Sequence, residues 1–425
     1  MKVLVVGSGG REHAIIRKLK ENPSIDQIVC APGNGGIAAD AECVEIKATD
    51  VEAMADYAAE NNIDFVVVTP DDPLALGMVD AIEEKGIPCF GPRKNAAVIE
   101  ASKVFSKNLM KKYSIPTASY EVFDDPKNAL AYILAKNSFP AVIKADGLAL
   151  GKGVLIAQNA DEADAALKEL MVDQAFGAAG NRVVVEEFMT GPEVSVLAFT
   201  DGKTIKPMIS SMDHKRANDN DEGLNTGGMG TIAPSPFYTE EIAERCMKEI
   251  FRPTVDAMNE EGRTFKGCLY FGLMLTPSGP RVVEYNCRFG DPETQVVLPL
   301  LKSDLFTIMQ ACRNGNLDQV DIEWSDEACA CVIEASGGYP LGYAKGYEIE
   351  GLDENGQHEG VTVYHAGTRL IDGKYVTSGG RVLGITASGK DLDEALDKAY
   401  AAVKEIGFQD MHYRTDIGGK LRHKA

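Results

Sequence analysis

The sequence predicts an α/β chain of several domains, the first of which is an open parallel sheet. Its 425 residues suffice for two to four domains at roughly 100–200 residues each. Apolar residues make up 44% of the chain and charged residues 25%, a composition typical of a protein that buries a core. Over about the first hundred residues, short apolar runs alternate with helical patterns, as in successive βα units.

The N-terminal region carries four strand-like runs separated by helices. The runs lie at 2–6, 27–30, 64–68 and 87–90. Ligands of open parallel sheets bind at the carboxyl ends of the strands. Turn-forming residues follow three of these strands, at 7–10, 32–36 and 69–73. We therefore expect a ligand site at this edge of the sheet.

The rest of the chain divides into further α/β regions. Two glycine-bounded β stretches at 141–157 and 182–199 predict a small subdomain, and strands with a final amphipathic helix predict a separate C-terminal domain. The domains that we expect are an N-terminal parallel-sheet domain at 1–101, a central domain at 102–122 and 190–326, a small α/β subdomain at 123–189, and a small α/β C-terminal domain at 327–425.

The net charge of −21 disfavours binding to nucleic acid or anionic membranes, because both are polyanions. No apolar stretch reaches the ~18–20 residues that span a bilayer. The nine scattered cysteines favour reduced thiols, and the histidines show no zinc-site spacing. We expect a cytoplasmic protein and a monomer. Residues 101–157 are the exception to the acidity, with eight lysines and four acidic residues.

Two glycine-rich loops are candidate phosphate sites. At 7–12, Glu12 stands where a dinucleotide fingerprint needs Gly or Ala, so a nicotinamide cofactor is disfavoured, while a tight turn without a ligand remains open. At 147–153, the loop is one residue too short for a Walker A motif. Its amides could still cover a triphosphate with Lys144 and Lys152 nearby, and a solvated hairpin is the alternative.

Three polar segments complete the motifs. Glu186, Glu187 and Glu193 follow a strand and indicate either surface charge or a nucleotide hinge. Alternation along a strand places Glu284, Asn286 and Arg288 on one face, a set that suits Mg²⁺ with phosphate oxygens. The stretch 211–230 is polar and glycine-rich, which predicts a long substrate loop or a solvated linker.

In this order, the motifs resemble the ATP-grasp superfamily and, more closely, the glycinamide ribonucleotide synthetase family, also called phosphoribosylamine-glycine ligase. The segments that carry the resemblance are SK at 102–103, IKADGLALGKGV, EEFMTGPE, DHKR with NTGGMG, and EYNCRFGDPE. The resemblance implies a pre-ATP-grasp N-terminal domain, an ATP-grasp central domain with a lid at 123–189, and a small C-terminal domain. It also implies ligation of glycine to 5-phosphoribosylamine in purine synthesis, with ATP and Mg²⁺ or Mn²⁺.

The resemblance assigns roles by position. Phosphates and nucleotide are expected at Lys103, Lys144, Gly151, Lys152, Gly153, Glu186, Glu187, Met189 and Glu193. Catalysis is assigned to Arg288, Lys144 and Lys152, and the metal to Glu284 and Asn286. The substrates glycine and phosphoribosylamine are expected at Gly9, Gly10, Arg11, Asp71, Asp213, Lys215, Arg216, Arg288 and Arg381.

One position departs from the family pattern. Asp71 stands where the family has Glu, so its carboxylate reaches about 1.5 Å less far toward a sugar. Three other functions stay open on the sequence: another ATP-grasp carboxylate-amine ligase or carboxylase, a dinucleotide-dependent oxidoreductase, and a nucleotide sensor without activity.

Overall fold

The computed structural model describes residues 1–148 and 153–419, and the first hundred residues form the predicted parallel sheet. The elements are β1 (Lys2–Gly7), α1 (Gly10–Leu19), β2 (Gln27–Pro32), β3 (Glu42–Cys43), α2 (Val51–Glu60), β4 (Phe65–Val68), α3 (Asp71–Leu76), α4 (Met78–Glu84), β5 (Cys89–Phe90) and α5 (Lys94–Ala101). All pairs are parallel, in the order β3-β2-β1-β4-β5. Residues 3–6 are fully buried because core packs on both faces of the sheet.

A second, antiparallel sheet follows the helix α6 (Lys103–Lys112). Its elements are β6 (Tyr120–Phe123), α7 (Pro126–Lys136), β7 (Ala141–Ala145), β8 (Val154–Ala157), α8 (Ala160–Leu167) and β9 (Val183–Glu187). The strand order is β6-β9-β7-β8, and the glycine-rich loop joins β7 to β8. The sheet begins at Tyr120, ahead of the expected boundary at 123, because Tyr120 pairs with Glu186. The domain limits as a whole stay a prediction.

The central region contains a third sheet and several helices. In chain order, the elements are β10 (Glu193–Thr200), β11 (Ile205–Pro207), β12 (Met212–Asp213), β13 (Arg216–Asn218), β14 (Glu222–Asn225), β15 (Gly230–Ala233), α9 (Glu240–Cys246), α10 (Arg252–Glu260), β16 (Gly267–Thr276), β17 (Gly279–Asn286), α11 (Thr294–Val297) and α12 (Leu305–Asn314). The antiparallel sheet has the order β11-β10-β16-β17. Its core strand β10 is buried over residues 194–200.

The C-terminal region forms a fourth sheet covered by a helix. Its elements are β18 (Ala328–Ser336), β19 (Thr362–His365), β20 (Thr368–Ile371), β21 (Lys374–Thr377), β22 (Arg381–Gly389), α13 (Leu392–Val403) and β23 (Met411–His412). The order is β12-β15-β18-β22-β19, with β23 also paired to β18. Leu396, Ala399 and Val403 of α13 are buried against the sheet, as the predicted apolar face requires.

The stretch 211–230 differs from the predicted long loop. It contains β12, the hairpin β13–β14 and the start of β15, and β15 pairs along β18. Its backbone groups are therefore satisfied by strand pairing, which explains why a polar, glycine-rich segment is ordered. Two strands from the middle of the chain thus join the C-terminal sheet.

Across residues 1–148 and 153–419, no helix is long and apolar enough to cross a membrane.

Candidate active site

One cavity of about 920 Å³ opens where the four sheets meet. Most of the side chains predicted to act together line it: Arg11, Asp71, Lys103, Lys144, Gly153, Glu186, Glu187, Met189, Glu193, Asp213, Lys215, Arg216, Glu284, Asn286, Arg288 and Arg381. Gly151 and Lys152 lie outside the described residues. Gly9 and Gly10 are not in this lining. The individual roles of these residues stay predictions.

A buried ion cluster forms one wall of the cavity. The Glu186 carboxylate lies 3.0 Å from Lys107 Nζ and 3.1 Å from Lys144 Nζ. Lys144 Nζ also donates to the Val283 carbonyl, and Lys107 Nζ donates to Thr117 Oγ1. Burial lowers the pKa of Lys107 to about 8, although Glu186 opposes that shift. Glu186 therefore holds two lysines of neighbouring elements side by side.

Lys103 fixes the start of the glycine-rich loop. Its Nζ donates to the Gly147 carbonyl at 2.9 Å, and Asp146 accepts from Ser102 Oγ and from the Val104 amide. Burial lowers the pKa of Lys103, against the attraction of Glu284. The N-terminus of α6 and the end of β7 are thus locked together beside the cavity.

Lys215 connects two predicted ligand groups. It forms ion pairs with Glu193 and with Glu284, the latter at 3.7 Å. Burial lowers the pKa of Lys215, but the two carboxylates outweigh it and hold the pKa well above its usual value. The expected contact of Lys215 with glycine stays a prediction; in the structure, Lys215 lies between Glu193 and Glu284, the expected ribose and metal ligands.

Glu284 and Asn286 lie on one face of β17. The register shift opposite Gly272 and Leu273 inserts an extra residue, Val283, just before them. Burial raises the pKa of Glu284, yet Lys215, Lys144 and Lys103 lower it more, so the carboxylate stays ionised. An ionised carboxylate next to an amide oxygen is the donor set that a hard divalent cation requires. Within the described ranges, no group of three or more His, Cys, Asp or Glu side chains suits a metal.

Arg288 lies just beyond β17 with its partly buried guanidinium paired to Glu100. Its Nη2 is 2.9 Å from Glu100 Oε1, and its Nη1 donates to the Phe289 carbonyl at 3.3 Å. Its buried Nε has no protein partner in the described part of the chain. Burial raises the pKa of Asp71, but Arg288 and Arg11 lower it below its usual value. Asp71 therefore faces both arginines as an ionised carboxylate.

The glycine turn after β1 is filled by Glu12 of its own helix. The Gly9 amide donates to Glu12 Oε2 at 2.5 Å, and Thr69 Oγ1 donates to Glu12 Oε1 at 2.7 Å. A methyl group at Gly10 would lie 2.7 Å from Gln295 Nε2. These contacts differ from the expectation that phosphoribosylamine lies against Gly9 and Gly10, because one amide is occupied and both glycines pack on protein atoms. Arg11 is the member of this turn that reaches the cavity.

Asp213 is a partly buried residue of the cavity lining whose carboxylate oxygen Oδ1 is enclosed. Its Oδ1 has no hydrogen-bond partner among the described residues. Burial and the nearby Glu293 raise its pKa well above the usual range, against the attraction of Lys215 and Arg381. A buried acceptor of this kind suits a cationic ligand group.

Two arginines near Asp213 are held by protein groups. Arg381 Nη1 donates to the carbonyls of Gly227 at 2.7 Å and Asp291 at 2.9 Å. Arg216 Nη1 donates to the Gly223 carbonyl at 2.8 Å. The expectation gave Arg381 to a sugar phosphate. In the structure, its guanidinium joins β22 to the segments at Gly227 and Asp291.

Three family models match the chain, and together they span most of it. They are those of phosphoribosylglycinamide synthetase: the N domain at residues 1–100, the ATP-grasp (A) domain at 101–294 and the C domain at 329–420. The chain belongs to the phosphoribosylglycinamide synthetase family. The predicted α/β class, with a parallel N-terminal sheet and an ATP-grasp domain, is confirmed.

Relatives and solved structures agree with this family. The phosphoribosylamine–glycine ligase of Caldanaerobacter subterraneus subsp. tengcongensis is 48% identical over 417 residues, which are 98% of this chain and 99% of the relative. The crystal structure of phosphoribosylamine–glycine ligase from Thermotoga maritima has a TM-score of 0.85 at 33% identity and covers 98% of this chain and 100% of its own. The biotin carboxylase domain of Hydrogenobacter thermophilus 2-oxoglutarate carboxylase has a TM-score of 0.74 at 19% identity, over 97% of this chain and 91% of its own, and shares the fold alone.

In this member of the phosphoribosylglycinamide synthetase family, the cavity lining also contains residues that the sequence did not indicate, among them Lys107, Glu293 and Glu100. Lys107 lies one helical turn after Lys103, a spacing that could have indicated it. Glu293 ends the segment that contains Arg288, and Ser195 Oγ donates to its carboxylate at 3.1 Å. The residues around Glu100 form no motif that indicates a function for it.

Proposed function

We propose that the chain joins glycine to 5-phosphoribosylamine with ATP, forming glycinamide ribonucleotide, ADP and phosphate in purine biosynthesis. The observation that supports this most is a cavity that combines buried lysines, a carboxylate–amide pair and Asp213, whose Oδ1 has no hydrogen-bond partner among the described residues, in a member of this family. These are complements to a triphosphate, a metal ion and an ammonium group.

The reaction needs two steps because a carboxylate is a poor electrophile. A glycine carboxylate oxygen first attacks the γ-phosphorus, which forms glycyl phosphate and releases ADP. The sugar amine nitrogen then attacks the acyl carbon, the C–O bond to phosphate breaks, and the amine loses a proton. Phosphoryl transfer depends mainly on positioning and charge neutralisation. We assign these tasks to Lys103 and Lys144, with Lys152 assigned by the family resemblance.

Glu284 and Asn286 are the residues that would hold Mg²⁺ or Mn²⁺, since they supply an ionised carboxylate and an amide oxygen. When bound, such a cation neutralises phosphate charge. Arg288 contributes a permanent positive charge, and we assign it to the acyl phosphate oxygens. Its buried Nε has no partner among the described residues and could donate a hydrogen bond to a ligand oxygen.

The two substrates would bind next to each other in the cavity, because the sugar amine must reach the acyl carbon of glycyl phosphate. Asp213 is assigned to the glycine ammonium because its enclosed Oδ1, which has no hydrogen-bond partner in the described part of the chain, complements a cation. Arg11 and Asp71 are assigned to phosphoribosylamine, with the guanidinium toward its phosphate and the carboxylate toward its ribose. The nucleotide hinge is assigned to the backbone at Glu186, Glu187 and Met189, and its ribose to Glu193.

A screen of carboxylic acids tests glycine as the substrate against another ATP-grasp ligase or carboxylase. Purified enzyme receives MgATP, phosphoribosylamine and one acid at a time, including bicarbonate, and the product is identified by mass spectrometry. Glycine is expected to give glycinamide ribonucleotide at a rate well above that of every other acid. Faster turnover with another acid would identify that acid as the substrate in place of glycine.

The monomeric state and the cytoplasmic location stay predictions.

A further inference from the structure

Glu100 is a buried carboxylate that joins the N-terminal part of the chain to the end of β17. It lies in the last turn of α5, its side chain is 6% exposed, and it borders the cavity. No motif in its own segment indicates a function. The contacts of its carboxylate indicate a role beyond packing.

The two oxygens of Glu100 hold three consecutive residues. Oε1 accepts from Asn286 Nδ2 at 3.0 Å and lies 2.9 Å from Arg288 Nη2, while Oε2 accepts from the Cys287 amide at 2.7 Å. One carboxylate thus contacts both the assigned metal ligand and the assigned phosphate-stabilising arginine. Their relative position depends on a residue that belongs to neither motif.

The contact also sets which end of the Asn286 amide faces the cavity. Asn286 Nδ2 donates both to Glu100 Oε1 and to the Tyr285 carbonyl, each at 3.0 Å. An ionised carboxylate only accepts hydrogen bonds, so it can pair with the amide nitrogen but not with the amide oxygen. The Asn286 amide oxygen is therefore the end left for a cation. Partners of metal ligands commonly fix ligand orientation in this way.

The same carboxylate also orients Arg288. The Arg288 guanidinium is in turn held by Glu100 on one side while its Nε stays without a partner among the described residues. A carboxylate at this position thus orients the arginine without using all its donors.

We propose that Glu100 is a positioning residue that aims the Asn286 amide oxygen at the divalent cation and holds the Arg288 guanidinium at the transferring phosphoryl group. The proposal rests on the ligase function proposed above. It assigns to Glu100 an acceptor-only role, which a neutral side chain of the same shape does not fulfil, because the amide of Gln can also donate and so permits Asn286 to flip.

The test measures metal binding without turnover. Free Mn²⁺ is followed by electron paramagnetic resonance during titration of the enzyme with saturating ADP, and glycine and the amine are omitted. Glu100→Gln is expected to weaken Mn²⁺ binding by about tenfold, as loss of a ligand's partner typically does. Glu100→Asp keeps the charge and is expected to bind Mn²⁺ more tightly than Glu100→Gln. A role in packing alone predicts the opposite order, because Gln matches the shape of Glu.

The matched control is Glu334→Gln. Glu334 is a fully buried glutamate in β18 whose carboxylate has no hydrogen-bond partner in the described ranges, and it is not in the lining of the cavity. This variant is expected to bind Mn²⁺ like the unmodified enzyme. Unchanged Mn²⁺ affinity in Glu100→Gln, or the reversed order of the two Glu100 variants, would overturn the proposal.

A double-mutant cycle covers the case in which Glu100→Gln does not fold. If Glu100 acts through Asn286, then adding Glu100→Asp to Asn286→Ala lowers Mn²⁺ affinity no further than Asn286→Ala alone. If the double variant instead loses Mn²⁺ affinity by the product of the losses in the two single variants, the result would contradict the proposal. Because no ligation is measured, these results stand apart from the substrate screen, which alone decides the proposed reaction.

Discussion

At the scale of single residues, Arg288 shows how one side chain can be both anchored and available. Glu100 and the Phe289 carbonyl hold the two terminal nitrogens, while Nε is buried without a partner among the described residues. An anchored guanidinium requires little reorganisation when charge develops next to it. This geometry suits a group whose contact strengthens in the transition state.

Arg288→Ala is expected to lower kcat by roughly 10²–10³, the usual cost of removing a charge-stabilising donor. The KM for ATP should change little, because the lost contact acts mainly in the transition state. Steady-state ADP release checks both constants. Arg281→Ala is the control, since Arg281 lies in β17, which ends two residues before Arg288, and pairs with Glu187 instead. Near-normal kcat in Arg288→Ala would remove this residue from the mechanism.

Glycine binding should depend on pH through Asp213. Burial and Glu293 raise the pKa of this carboxyl well above its usual range, so at pH values below that pKa the group is neutral and attracts an ammonium weakly. The KM for glycine is therefore expected to fall as pH rises through the raised pKa. In Asp213→Asn, KM should be higher and lose that pH dependence. A pH profile identical in the two proteins would be inconsistent with the assigned role.

The sequence indicated most of the charged cavity residues because their motifs carry the required chemical types. It did not indicate Glu100, because its partner Asn286 is 186 positions away in the chain. A contact between such distant segments leaves no local pattern. The same holds for Glu12, whose position in the glycine turn was noted as a departure from a fingerprint but whose contact with Thr69 depends on the folded sheet.

At the scale of elements, the turn between β14 and β15 shapes the end of the cavity. Gly228 has φ +114°, and a Cβ there would lie 2.6 Å from Asp213 Oδ1 and 2.5 Å from Pro292 Cδ. The turn thus needs a residue without a side chain for two reasons, backbone conformation and close packing.

Gly228→Ala is expected to raise the KM for glycine several-fold, since the added methyl displaces the Asp213 carboxylate. Gly262→Ala is the matched control for backbone strain, because Gly262 also has positive φ but a Cβ there meets no atom within 4 Å. Kinetics and thermal denaturation of both variants separate the two effects. If both variants lose glycine affinity equally, the contact with Asp213 is not the cause.

Element prediction succeeded where hydrophobic periodicity is strong and failed where pairing is non-local. The parallel sheet, the β7–β8 hairpin and α13 follow from apolar patterns. The stretch 211–230 was predicted as a loop because its strands are two to four residues long and polar, and β15 is stabilised by pairing with β18, about a hundred residues later. The bulge at Val283 likewise has no local sequence pattern.

At the scale of the whole molecule, the N-terminal and C-terminal parts are joined by buried histidines. The His365 amide donates to His13 Nδ1 at 2.8 Å, and His13 Nε2 lies 3.0 Å from Asp40. Burial lowers the pKa of His13, although Asp40 raises it, so the ring accepts from the amide as a neutral imidazole. This contact holds α1, which carries Arg11, against β19.

The overall acidity now has a local meaning. The chain carries −21, yet lysines 103, 107, 144 and 215 converge on one cavity whose carboxylates they neutralise. An anionic nucleotide would therefore meet these lysines in a lining that also holds many carboxylates. The lysine-rich segment 101–157 was visible in the sequence, but the pairing of its lysines with Glu186 required the fold.

The central claim is that one cavity couples ATP cleavage to the joining of glycine and phosphoribosylamine. The most direct measurement is ADP release by the purified enzyme with MgATP, in the presence of both substrates and with each omitted in turn. Sustained release is expected only when glycine and phosphoribosylamine are both present, with one glycinamide ribonucleotide formed per ADP. Release that continues at the same rate without the amine, or without glycine, would contradict the account.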